Sequence, residues 1–209
     1  MLFETLSLAA LILVSFTSLI LLLVQYWHWS LIVIFVQYIG VFILVGLSWP
    51  VQMAVAKLLA GGICVAVLWL AEIGLVQQAN VDGISLPLAS QPVDQLPLSG
   101  FLFRLFAAIM VGLVVFSIRS VILDWIPELN TAQAFSSLIL IGLGLLHLGL
   151  TTRPLGVILG LLTVLCGFEI LYAGVEVSAL VEGLLAAVNL GLALTGAYLI
   201  LAPGMEESP

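Results

Sequence analysis

Glu169, Glu182 and Lys57 are the residues of this sequence best placed to do chemistry. Each lies in an apolar run: "TVLCGFEILYAGVEVSALVEG" holds the two acids and "PVQMAVAKLLAGG" the lysine. An ionised side chain is costly in hydrocarbon. Such a group pairs with an opposite charge, exchanges a proton, or snorkels to the interface along its own stem. Proton relay is therefore the chemistry that these residue types offer. Glu176 lies between the two acids, at the turn of a helical hairpin, and is expected to be wet. Glu169 is seven residues before it and Glu182 six after. At 1.5 Å per residue both sit roughly 8–10 Å in from that turn, at matched depth. Lys57 lies a similar distance into its own helix from the same side. Whether the acids face each other, Lys57 or water depends on rotation about each helix axis, which hydropathy does not fix.

A second group lies towards the opposite side. Glu72 ends one span, Arg104 begins the next, and His147 and Arg153 flank a later turn. Glu72 and Arg104 are expected to form an interfacial ion pair. Histidine ordinarily titrates near neutral pH, so His147 joins the proton-route candidates with Glu72. The alternative for His147 is a hydrogen-bonded structural role. Asn189, seven residues after Glu182, shares its helix face and is expected to make interhelical hydrogen bonds.

Other chemistries lack their residues. The two histidines, His28 and His147, do not make a paired haem site, and there is no HExxH, GxSxG or P-loop. Cys64 and Cys166 are isolated within apolar runs and read as packing residues. No cofactor, no metal and no enzymatic activity of the chain itself are expected. The net charge of −7 argues against nucleic acid and supplies no polybasic lipid-binding patch.

The elements that must position these groups follow from composition. Of the residues, 64% are hydrophobic and 7% charged, with a mean hydropathy of +1.37; a soluble domain carries about 25% charge. Too few polar residues remain to cover a water-facing surface, so the main solvent is the lipid bilayer. Apolar runs of about 20 residues mark helices rather than barrel strands. The expected fold is all-α: a single polytopic transmembrane bundle over residues 1–209 with about seven spans. These lie near 5–25, 30–48, 51–75, 100–120, 132–150, 154–174 and 178–201, and residues 76–99 form the one long aqueous loop. The N-terminal run has no basic residue before it and reads as a retained first helix. With seven spans the termini lie on opposite sides, here named A (N-terminal) and B. Lys57 and Arg119 lie towards A, Arg104 and Arg153 towards B, so charge sets no orientation.

The stretch "LLHLGLTTRPLGVILGLLTVLCGFEILYAGVEVSALVEGLLAAVNLGLALTGAYL" resembles the small K-type subunit of respiratory complex I and the related E component of hydrogenase-4 complexes. The shared pattern, mainly over residues 140–200, is an Arg turn, a Gly- and Leu-rich helix with an internal Glu, and a second helix carrying "GLAL". "VQYIGVFILVGLSWPVQMAVAKLL" is similar to the hydrogenase-4 component as well. The resemblance implies a subunit packed beside antiporter-like subunits, contributing buried carboxylates to a proton route. Counted from Arg153, the family's glutamate would fall near Thr163 to Leu165, and a second carboxylate near Ala187. Here Glu169 and Glu182 are the nearest acids, so a shared route would be relocated or degenerate.

These observations imply a non-catalytic membrane subunit of a proton-translocating respiratory, hydrogenase-like or antiporter-like complex, in a prokaryotic inner or plasma membrane. Its partners would be other membrane subunits. The alternatives are a structural or assembly membrane protein without a transport role, and a small stand-alone proton-coupled transporter.

Overall fold

The computed structural model describes residues 2–24, 26–82 and 98–205. They form seven α-helices: α1 (Leu2–Leu23), α2 (Trp27–Val45), α3 (Val51–Asp82), α4 (Leu98–Trp125), α5 (Thr131–Leu150), α6 (Pro154–Ala173) and α7 (Ala179–Met205). All seven are long and apolar enough to cross a membrane, which makes the chain a multi-pass membrane protein. Local signals place the ends. Pro50 precedes α3, and Pro154 opens α6, where its missing N–H is no loss. Asn130 caps α5 in a capping box: its side chain accepts from the Ala132 N–H, and Gln133 Oε1 accepts from the Asn130 N–H.

Three helices outrun their expected spans. α3 continues to Asp82, α4 reaches Trp125 and α7 Met205, because a helix entering water carries on until something breaks it. Pro127 follows α4. The expected aqueous loop therefore shrinks at both ends, and its part from 83 to 97 lies outside the described residues, as does the acidic end from 206 to 209.

The helices stack as two rows. α1, α2 and α3 lie side by side, as do α5, α6 and α7; α1 packs on α5, α2 on α6 and α3 on α7. Since each turn reverses the chain, these stacked pairs run parallel. α4 lies outside the rows, against α5 and the edge of α1. Small residues let the rows close. A Cβ on Gly167 of α6 would sit 2.6 Å from the Ser137 carbonyl of α5, so only glycine allows that approach. One apolar core runs through α1, α2, α3, α5, α6 and α7, including Leu31, Ile34, Leu68, Leu140, Leu162 and Ile170. A smaller one, with Leu22, Ala108, Val115, Ile139 and Leu143, joins α4 to α1 and α5. The outer surface is apolar too: Phe103, Phe106, Phe116 and Trp125 of α4 and Leu180, Leu184 and Leu199 of α7 point outwards. That is the surface expected of a chain solvated by lipid.

Candidate functional site

Lys57 and Glu169 are both 1% exposed and form an ion pair between α3 and α6. α6 carries Glu169 one turn before its C-terminal end on side A, and α3 carries Lys57 in its second turn from the same side. Matched depth in the sequence thus becomes contact in the fold. Asn189 of α7 completes the carboxylate's shell: its Nδ2 donates to Glu169 Oε1 at 2.9 Å. A charged group so deeply buried requires such compensation, since pairing and hydrogen bonding together replace the lost water. The Lys57 ammonium also lies 5.3 Å from the centre of the Tyr38 ring of α2, close enough for a cation–π contact. Gly61, one turn beyond Lys57, makes room for that ring; a Cβ there would lie 2.5 Å from Tyr38 Cδ1.

Glu182 belongs to the same cluster but is bound differently. It is 5% exposed, and both carboxylate oxygens are buried with no hydrogen-bond partner among the described residues. The charges it feels most are those of Glu169 and Lys57. Lys57 is thus in contact with Glu169 alone, and Glu182 lies within its electrostatic reach. Deeper in the bundle, Gln37 Nε2 donates to Thr163 Oγ1 at 3.3 Å, linking α2 to α6, and Thr163 Oγ1 donates to the Leu159 carbonyl. The Tyr38 hydroxyl, Gln37 Oε1 and Asn189 Oδ1 have no partner among the described residues. The polar layer thus draws on α2, α3, α6 and α7 and lies between mid-membrane and side A.

Glu176 occupies the α6–α7 turn and is exposed, with its backbone carbonyl accepting from Trp49 Nε1 at 3.2 Å. Other polar contacts tie side A together. Asn130 Nδ2 donates to Ser7 Oγ at 3.5 Å, and Gln133 Nε2 donates to the Leu44 carbonyl and to Ser48 Oγ.

On side B the expected Glu72–Arg104 pair is not formed. Arg104 Nη1 donates to the Leu22 carbonyl at 2.8 Å and Nη2 to the Leu150 carbonyl at 3.1 Å. These carbonyls end α1 and α5, where helices leave acceptors unsatisfied and carry partial negative charge. Two converging helix ends match the guanidinium fork better than one distant carboxylate. Glu72, 5% exposed, has Arg153 as its charged neighbour instead. His147 is buried with Nδ1 unpartnered among the described residues, and the nearby cation is Arg104. Neither residue meets the Lys57 cluster. Along α3, Glu72 stands about 22 Å from Lys57 at 1.5 Å per residue. The buried side chains of Leu68, Ile158, Leu159, Leu162 and Ala193 fill the interval.

Gln133 and the double role of Arg104 were not singled out from the sequence. Gln133 had a legible signal, an Asn three residues before it at a helix start. Among the described residues no three His, Cys, Asp or Glu side chains converge to hold a metal, and Cys64 and Cys166 are free and buried. No protein-family model matches the chain, and no curated protein or solved structure matches it either.

Proposed function

We propose that this protein is a non-catalytic membrane subunit of a proton-translocating complex, and that Glu169, Lys57 and Glu182 belong to its proton route. The observation that carries the reading is the buried cluster of two carboxylates and one lysine, held between three helices and hydrogen-bonded through Asn189. Ionisable groups at such depth are rare, and transport is their usual reason for being there. The resemblance of residues 140–200 to complex I K-type and hydrogenase-4 E-type subunits supports the same reading and points to a prokaryotic plasma membrane. So does the concentration of polar groups towards one side, which suits a subunit that passes a proton onwards to a neighbour. His147 and Glu72 would serve at the far end of such a route, beyond the apolar interval.

The closed Lys57–Glu169 pair also favours a second reading, in which it only fastens α3 to α6 in a structural or assembly protein. One experiment separates the two. The protein is purified in mild detergent with whatever travels with it and reconstituted into proteoliposomes. Proton uptake is then followed with a pH-sensitive dye for the native chain and for Glu169→Gln and Glu182→Gln. The proton-route reading expects a co-purifying complex whose pumping falls at least tenfold in both variants while assembly is kept. Normal pumping in both would leave the structural role. A pumping homo-oligomer without other subunits would make it a stand-alone transporter.

A further inference from the structure

Two buried carboxylates lie near one buried cation, and among the described residues the helices packed around them supply no second one. The charges felt at Glu182 are those of Glu169 of α6 and Lys57 of α3. Tyr38 of α2, Cys64 of α3 and Cys166 of α6 make up the rest of the ionisable neighbourhood, and none of these adds positive charge. Glu169 takes Lys57 by direct contact and the Asn189 amide by hydrogen bond. Glu182 takes neither, and both its oxygens lie in the interior. An unpaired carboxylate in such a place neutralises itself by binding a proton.

From this asymmetry we infer that Glu182 is the resident proton-binding site of the cluster: at rest it is a neutral carboxylic acid, beside an ionised Glu169–Lys57 pair. The cluster then has zero net charge. Proton transfer is a change of partner. When Glu182 releases its proton, the O–H bond breaks, the electron pair stays on the carboxylate, and Lys57 acquires a second anion to choose between. As Lys57 moves towards Glu182, Glu169 becomes the unpaired acid and binds a proton, so net charge returns to zero. Glu182 opens α7 on side A, in its first turn, whereas the way to side B is filled by Leu68, Leu162 and their neighbours. Exchange therefore runs between side A and the cluster.

This inference rests on the proton-route reading for its purpose, but its test does not involve transport. Infrared difference spectra between water and heavy water reveal the carbonyl stretch of protonated carboxylic acids. The native protein should show a band of this kind that disappears in Glu182→Gln. It should also disappear in Glu169→Gln, where Glu182 becomes the sole partner of Lys57. In Lys57→Met the acid signal should double, because both carboxylates then carry protons. Asn189→Leu should leave the native band where it is, since Asn189 bonds to Glu169 and not to Glu182; a shifted band would place the proton on Glu169 and overturn the assignment. So would a native spectrum that matches Glu182→Gln, or a band abolished by sodium or lithium, which would mean a metal cation in the proton's place. A Glu182→Gln protein that fails to fold would overturn it too, because glutamine is the nearest uncharged copy of a protonated glutamate. A band that behaves as described, with pumping untouched by the substitutions, would sink the transport reading alone.

Discussion

Lys57→Met removes the charge and keeps most of the apolar stem, so it isolates what the ion pair contributes. Glu169 is then left in the interior with Asn189 as its only hydrogen-bond donor among the described residues. It can remain ionised, and breaking a buried pair in that way costs about 3–5 kcal/mol. Alternatively it binds a proton, and the penalty is that of protonating an ordinary glutamate. With a reference titration near 4.3, holding the proton at pH 7 costs about 2.7 pH units, or about 3.7 kcal/mol at 1.36 kcal/mol per unit. The two routes agree on a loss of about 3–4 kcal/mol at neutral pH. They differ in pH dependence. In the protonated route the folded variant holds one more proton than the native fold, and the unfolded chain releases it. Its deficit therefore shrinks by about 1.4 kcal/mol for each unit by which the pH falls from 8 to 5. Reversible unfolding in mixed micelles, titrated with a denaturing detergent and followed by the fluorescence of the five tryptophans, measures the gap between variant and native chain. A gap below about 1 kcal/mol that is equal at pH 5 and pH 8 would refute the argument, because it would mean that Glu169 needs neither the lysine nor a proton.

Two further substitutions test the parts that hold the cluster in place. Arg104→Ala leaves the carbonyls of Leu22 and Leu150 without their donor. At about 1.5–3 kcal/mol for each charged hydrogen bond, less what water recovers at this half-buried site, the expected loss is about 2–4 kcal/mol in the same titration. Arg104→Lys should recover less than half of it, since a point-like ammonium cannot span two helix ends as the guanidinium does. Gly61→Ala drives a methyl into the Tyr38 ring and should cost about 1–3 kcal/mol by overpacking. Adding Tyr38→Leu to Gly61→Ala should return most of that loss, and a double-mutant cycle without coupling would show that the ring does not rest against Gly61.

Hydropathy found the number and order of the helices because crossing a bilayer demands about 20 apolar residues wherever the chain does it. It was less informative on where helices stop. The segment "QQANVD" looks like loop by composition, yet it continues α3 because nothing in it breaks a helix. Depth was legible by counting from turns: Glu176 is exposed and Lys57, Glu169 and Glu182 are buried on the same side. Which carboxylate meets the lysine was not legible, since it depends on the rotation of α6 and α7 about their axes, which hydropathy does not fix. Asn189, on the Glu182 face of α7, is expected to bond between helices, and it does so, to Glu169 of α6. Arg104 was misjudged for a different reason. Sequence reading seeks opposite charges on side chains, whereas the partners of this arginine are backbone carbonyls, which every residue carries and no residue type announces.

The Lys57–Glu169 pair also has a history in time. Its two members are synthesised far apart: α4 and α5 emerge after the lysine and before α6 brings the acid. Through that interval α3 must enter the bilayer with an unmatched cation in its second turn. Lysine is the residue able to wait there, because its four-carbon stem can reach back to the headgroups on side A. Pairing can begin only once α6 arrives, and the amide of Asn189 comes later still, with α7. A chain cut short before Glu169 would hold that lysine at the interface and leave α3 packed on α2 without α7. The order of synthesis thus makes the ion pair one of the last contacts of the bundle to form.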